Sequence, residues 1–306
     1  MLDRTIFTFP GWIKKAVSFT IDDGNLRLDK RFIETVKPGG ITGSFNICGL
    51  GRMGGLTPDE YREFYRGFEV TNHCAEHPKV ILPEDNYVIA DEPFDPMTAD
   101  REKIYPTATE GLYYKFFKSW WGKVATTDAY IRLIDQGKEE IESVFGEGSV
   151  VAYVWPYHSQ RDPRLHEHLK AAGYASVRTT GMAGFELPAD RMNWCYNANH
   201  TNLNARAAEF DALADDGELK WFCFGVHSHD FENNNCWDVL EAFVESYGNR
   251  PHDFWYATVR DILEYEDAVN AAEITEAAIT NNSDKTLYAK IGDEKVTSPA
   301  KTTYTI

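Results

Sequence analysis

Asp22 and Asp23 stand side by side at the end of the apolar run Ala16-Val17-Ser18-Phe19-Thr20-Ile21 and are followed by Gly24. Neighbouring carboxylates are costly to keep ionised together unless a metal, a cation or backbone donors absorb the charge. Further along, His73-Cys74-Ala75-Glu76-His77 places two imidazoles four residues apart, which on a helical turn puts them on one face. Two neutral imidazoles and one carboxylate suit a divalent ion and leave coordination positions for water and substrate. Asp22 or Asp23 supplies that carboxylate, and the other can accept a proton from water that the metal has acidified. A tetrahedral intermediate at a carbonyl then needs a proton on its leaving nitrogen or oxygen, for which His227 is the economical donor. His229 is its nearby rival. A backbone N–H near Tyr157, together with the metal, would hold the oxyanion. Asp-Asp-Gly is also ordinary turn material, so the set, rather than any one member, points to metal-assisted hydrolysis of an amide or ester.

Each of these groups falls at the end of a candidate strand. The apolar run makes a strand over 16–24, and further strands are expected at 41–47, 68–70, 149–155, 174–177, 219–224 and 254–257. Helices are expected at 29–36, 57–66, 128–145, 163–172, 205–214, 238–247 and from 258 to about 268. The start at Thr57-Pro58-Asp59-Glu60 combines a hydroxyl cap, a first-turn proline and a glutamate three residues on. Repeated strand–loop–helix units fit a barrel or a doubly wound sheet. Polar groups spread over several strand ends favour the barrel, whose C-terminal rim gathers residues from different strands. The rhythm fails over 78–126, a long connection with prolines at 78, 83, 93, 96 and 106 and the aromatics Tyr113, Tyr114, Phe116, Phe117, Trp120 and Trp121. These aromatics read as a helix packing the insertion onto the body, with a lid, a sugar-stacking surface or a dimer contact as sharper alternatives. After 280 the composition turns to short β segments. The expected organisation is a body over 1–270, including the insertion 78–126, and a β-rich tail over 271–306.

With 306 residues, 43% of them hydrophobic, the chain can bury one large core. A formal net charge of −17 repels nucleic acid and anionic membrane surfaces and disfavours strongly anionic polymers. No run reaches the ~18 apolar residues of a membrane span. The start Met1-Leu2-Asp3-Arg4 has no basic segment leading into an apolar one, so the expectation is a cytoplasmic protein unless a leader has been removed. Cys48, Cys74, Cys195, Cys223 and Cys236 lack the close paired spacing of a disulfide scaffold or a thiolate zinc site, and most of them read as small buried hydrophobes.

The aspartate pair, the histidine pair and the late histidine, in that order over roughly 10–268, resemble the NodB-homology polysaccharide deacetylases, carbohydrate esterase family 4. The first element is Thr20-Ile21-Asp22-Asp23-Gly24, where the family usually carries Phe before the pair. The second is Asn72-His73-Cys74-Ala75-Glu76-His77, with Cys74 at a hydroxyl position. The resemblance implies an α/β fold, an irregular (β/α)7 barrel with the long insertion and a small C-terminal β appendage. It also implies metal-dependent removal of acetyl groups from N- or O-acetylated sugars. Asp22 would be the general base and Asp23, His73 and His77 the ligands of one divalent metal, zinc first, with cobalt, manganese or nickel serving in relatives. Phe224-Gly225-Val226-His227 matches the fifth element and makes His227 the general acid.

Two elements depart from the family. The third is normally Arg-x-Pro-Tyr and here is Val154-Trp155-Pro156-Tyr157, so the arginine that helps orient the base through an acidic partner is missing. Arg178, at the next strand end, is the candidate substitute. Asp190-Arg191-Met192-Asn193-Trp194 is a weak match to the fourth, with Asn in place of its second Asp. Tyr157, Arg178, Trp194 and His229 are therefore candidate orienting or substrate-binding residues. The implied partner is an acetylated sugar or small amide, with no nucleic acid and no membrane; homo-oligomer formation stays open. Allantoinase-like or imide-hydrolysing relatives supply a second reading, a small cyclic amide as substrate. A catalytically silent carbohydrate-binding protein is a third.

Overall fold

The computed structural model describes residues 4–306. Its centre is a curled sheet of seven parallel strands: β1 (Lys15–Asp23), β2 (Ser44–Ile47), β3 (Glu69–Asn72), β4 (Ala152–Val154), β5 (Ser176–Arg178), β6 (Lys220–His227) and β7 (Trp255–Tyr256). The order is β5-β4-β3-β2-β1-β6, and β7 pairs with the start of β1 beside β2. Between β5 and β6 the chain makes single bridges, Trp194 to Arg178 and Ala198 to Phe224, so the sheet curls towards closure through an irregular segment.

The alternation along β1 explains how the sheet delivers its aspartates. Val17, Phe19 and Ile21 belong to the main apolar core, with the Phe19 ring 4.9 Å from Phe32 of the covering helix α1 (Leu26–Val36). Their neighbours Ala16, Ser18, Thr20 and Asp22 take the opposite face, which is the concave one. There Ser18 Oγ accepts the Trp221 indole N–H at 2.8 Å and Thr20 Oγ1 accepts from the Asn46 amide at 2.7 Å. Asp22, next in this row, emerges at the C-terminal rim. Helix α1 starts where Asn25 accepts the Leu28 N–H and buries Leu28, Phe32, Ile33 and Val36, the periodic stripe an amphipathic helix needs. The expected capping box at Thr57 is present on the helix Pro58–Phe64.

The insertion corrects the expectation of a helix. Residues 79–126 form a five-stranded sheet whose core is a hairpin of Leu112–Phe117 and Trp120–Thr126, turning through Lys118-Ser119. Phe116 faces Trp121 and Phe117 faces Trp120 across it. Aromatics favour strands and gain from such cross-strand pairs, and a stretch so densely aromatic satisfies a helical period and a strand period equally. The hairpin then leads into the 19-residue helix α2 (Thr127–Phe145), capped by Thr126. Beyond 270, Leu287–Ile291 and Glu294–Ser298 form a hairpin that pairs antiparallel with Phe7–Thr8 near the start of the chain. No helix among the described residues is long and apolar enough to cross a membrane.

Candidate active site

Strand register assembles a row of polar side chains at the rim. His227 lies opposite Asp22, Asp22 opposite Asn46, and Asn46 opposite Thr71 across β6, β1, β2 and β3. In-register residues of adjacent strands share a face, so four distant stretches of sequence present their side chains to one place. Asn46 donates to Asp22 Oδ1 at 2.7 Å and accepts from Thr71.

Asp23 would point away from Asp22 if β1 continued flat. Instead its φ is +76°, a left-handed conformation that Asp tolerates better than most side chains, and its carboxylate swings back over the rim. The histidine pair also reaches the rim, although not on a helical turn. Residues 73–77 form an irregular loop in which Cys74, Glu76 and His77 all have positive φ, at 64°, 65° and 48°. The loop is fastened to α2: the Ala75 N–H donates to the Leu133 carbonyl, and the Asn72 amide donates to the Ile134 carbonyl. Gly137 permits this approach, because a Cβ there would lie 2.4 Å from Asn72 Oδ1.

The resulting donor geometry fits a metal ion. His73 Nε2 and His77 Nε2 are 3.2 Å apart, and Asp23 Oδ1 is 3.5 Å and 3.1 Å from them respectively. Ligands bound at about 2.0–2.1 Å around a tetrahedral ion are separated by about 3.3 Å. His73 Nδ1 lies 2.9 Å from the Val154 carbonyl; donating there fixes the tautomer and leaves the Nε2 lone pair aimed at the cluster. The two rings hold the Asp23 carboxyl well below the usual carboxylate range, against the effect of burial. A cysteine, buried as expected, joins them. Cys48 Sγ, just beyond β2, is 3.9 Å from Asp23 Oδ1, and the four donor atoms all lie within 4.8 Å of one another. The apolar run before Cys48 disguised it, and only the pairing of β1 with β2 places it beside Asp23.

Arg178 is fully buried and forms an ion pair with Asp22. It is the register partner of Val154, the position where the third motif lacks its arginine. A guanidinium on the neighbouring strand thus enters the same concave face one strand over. Burial alone would raise the Asp22 carboxyl; Arg178 first, then His73 and His227, hold it below its ordinary value. Two further Arg178 nitrogens, Nε and Nη1, are buried without an acceptor among the described residues.

His227 closes the other side. Its Nδ1 is 3.0 Å from Asp230 Oδ2, which also accepts the His227 backbone N–H at 2.9 Å. Burial lowers the imidazole, but the Asp230 bond and the charges of Asp22 and Asp23 outweigh it and raise it to about 9. His229 also reaches the site. β6 stops at His227, and the first turn of the following helix Ser228–Asn233 stacks the His229 ring on that of His227 at 4.6 Å with the planes 24° apart, and places Nδ1 3.9 Å from Asp23 Oδ2. Tyr157 sets its ring edge-on to His77 at 4.5 Å. Trp194 lies elsewhere: it is buried in a second apolar cluster against Trp221, with its indole N–H on Ser176. Asp230 was missed in the sequence, although an acid three residues after the histidine is a recognisable helix-capping position.

A curled parallel α/β sheet with an Asp/His cluster at its rim defines the class, and comparison agrees. The chain belongs to the polysaccharide deacetylase family, whose model matches residues 12–177. Among solved structures it is similar to a CE4 esterase from Streptococcus mutans, with 13% identity over 80% of this chain and 86% of that one and a TM-score of 0.47. It is also similar to the Xyl-CE4 domain of a multidomain xylanase from the hindgut metagenome of Trinervitermes trinervoides (11%, 84% and 92%, TM-score 0.46). A third is the peptidoglycan deacetylase PdaC from Bacillus subtilis (14%, 84% and 94%, TM-score 0.43). No curated protein sequence matches the chain.

Proposed function

We propose that this protein is a metal-dependent deacetylase that removes acetyl from an N- or O-acetylated carbohydrate. The observation that carries the reading is the convergence of Asp23, His73 and His77 on one point, with Asp22 and His227 on its flanks. Asp23, His73 and His77 would hold the ion, zinc by the nitrogen-rich donor set, with Cys48 within reach. When bound, the ion supplies Lewis acidity towards a carbonyl oxygen and a lowered pKa for water. Asp22, kept ionised by Arg178, accepts the proton of the attacking water. His227, kept protonated by Asp230, delivers one to the departing sugar nitrogen or oxygen. We read the curled sheet as an irregular (β/α)7 barrel, with 1–270 as the catalytic body and 271–306 as an appendage.

Acetate release from a panel of acetylated sugars, run beside ring opening of small cyclic amides, tests the proposal. Dialysis against a strong chelator should abolish acetate release, and stoichiometric zinc or cobalt should restore it. Activity that survives verified metal removal, or turnover confined to the cyclic amides, would refute it.

The acid's environment makes a separate prediction. Because His227 works protonated, kcat should hold at neutral pH and fall on the alkaline side as the imidazole, raised by Asp230, loses its proton. Asp230→Asn removes the charge that raises the imidazole, so the alkaline limb should move to lower pH, by about one to two units. A pH–rate profile that the substitution leaves in place would take the role from Asp230.

A further inference from the structure

Next to the proposed centre lies a cavity of about 280 Å³ lined by Lys79, Phe117, Lys118, Trp120 and Tyr157. Its walls come from two sources. Tyr157 follows β4 in the body, while Phe117, Lys118 and Trp120 form the tip of the insertion hairpin. A continuous ring contact joins it to the donor cluster: His77 meets Tyr157 at 4.5 Å, and Tyr157 meets Trp120 at 5.9 Å with the planes 28° apart. Trp120 is 43% exposed and Tyr157 39%. Large aromatics left open to water around a concave, partly polar site are the usual lining of a ligand pocket, and their flat faces suit the C–H face of a pyranose ring.

The charges at this cavity are of the opposite sign to the chain. In a protein of net charge −17, the charged groups lining it among the described residues are two lysines. Neighbouring acids are engaged elsewhere: Glu76 pairs with Lys123, and Asp85, the carboxylate that feels Lys79, accepts two N–H groups of Arg161 at 2.8 and 2.9 Å. Among the described residues neither Lys79 nor Lys118 forms an ion pair, and Lys79 Nζ stands 5.8 Å from the centre of the Phe117 ring. Two unpaired cations flanking an aromatic floor ask for a ligand that is both a flat ring and an anion.

Resting on the deacetylase reading, we propose that this cavity is a subsite for the sugar next to the one that loses acetyl, and that this sugar carries an anionic substituent, a carboxylate or a sulfate ester. One charged ring in a short oligosaccharide engages the two lysines, whereas a long polyanion would meet the acidic remainder of the surface.

Tryptophan fluorescence titration of the full chain, metal-loaded and chelator-treated, measures this without turnover. The probes are three tetrasaccharides: the neutral N-acetylglucosamine tetramer, the hyaluronan tetramer with its glucuronate carboxylates, and the chondroitin 4-sulfate tetramer. At low salt the hyaluronan tetramer should bind at least tenfold more tightly than the neutral one. Lys79→Gln/Lys118→Gln should bring the two within about twofold, and Trp120→Ala should weaken all three by about tenfold. Tighter binding of the sulfated probe would assign the subsite to sulfate esters within the same proposal. Equal affinity for neutral and charged probes in the unsubstituted protein, a preference that survives the double substitution, or indifference to Trp120→Ala would overturn it. Charge-selective binding with no acetate release from any acetylated sugar would count against the deacetylase reading and leave the subsite standing.

Discussion

Asp22→Asn is expected to slow acetate release by about 10²–10⁴-fold, the usual worth of a positioned general base, while the chain still takes up its metal. The expectation follows from a division of labour between adjacent carboxylates. Asp23 faces His73 and His77, whereas Asp22 faces Arg178, Asn46 and His227. Asparagine keeps the size of the side chain and an oxygen towards Asn46, but it cannot take a proton from water. The substitution also leaves the buried Arg178 guanidinium without its counter-charge, and breaking a buried pair in this way costs about 3–5 kcal/mol of stability. Thermal unfolding must therefore accompany the kinetics. Asp22→Asn/Arg178→Met, which removes both charges, should recover much of the lost stability and none of the activity. Metal content by elemental analysis, unchanged in Asp22→Asn, separates loss of the base from loss of the ion. Acetate release within a few-fold of the unsubstituted protein would show that the base lies elsewhere.

The second large effect concerns Arg178. In Arg178→Met the burial that opposes ionisation of Asp22 is no longer overcome by the guanidinium. The base should then stay protonated to higher pH, moving the acid limb of kcat/KM upward by about one to three units. The sign for stability follows from the same carboxyl. In the unsubstituted protein its depressed value stabilises the fold above the pKa of the unfolded chain, and this contribution is lost as pH falls through the lower folded value. In Arg178→Met an ionised, unpaired Asp22 costs about 3–5 kcal/mol near neutrality, and acidification relieves that cost by protonating it. The gap in stability between the two proteins should accordingly narrow as pH falls. Denaturant titrations at several pH values measure it. A constant gap, with an acid limb that does not move, would reduce Arg178 to a packing role.

Cys48 and His229 show why a site is harder to read than a motif. Both stand near Asp23; Cys48 has no spacing to Asp22-Asp23 or His73/His77 that marks it, and His229 is marked only by its closeness to His227. The β1–β2 pairing brings in the first, and the end of β6 one residue before a helix brings in the second. The insertion is a related case: its aromatics were plain in the sequence, but which of them would be exposed depended on where the hairpin turned.

Residue chemistry was written in the chain itself. Paired aspartates, paired imidazoles and a late histidine after apolar runs mark a candidate metal-binding cluster wherever strands end together, because those side chains have few other reasons to cluster. The alternating pattern of β1 likewise determined that Asp22 and not its neighbour would lie on the concave face. What the tertiary structure alone decided was which charge answers which. Arg178 takes the place left by Val154 because parallel strands hold the two in register, and Asp230 reaches His227 because a helix begins there. Sequence distance carries no information about either pairing, since strand register and the curl of the sheet convert positions 156 residues apart into a single buried ion pair.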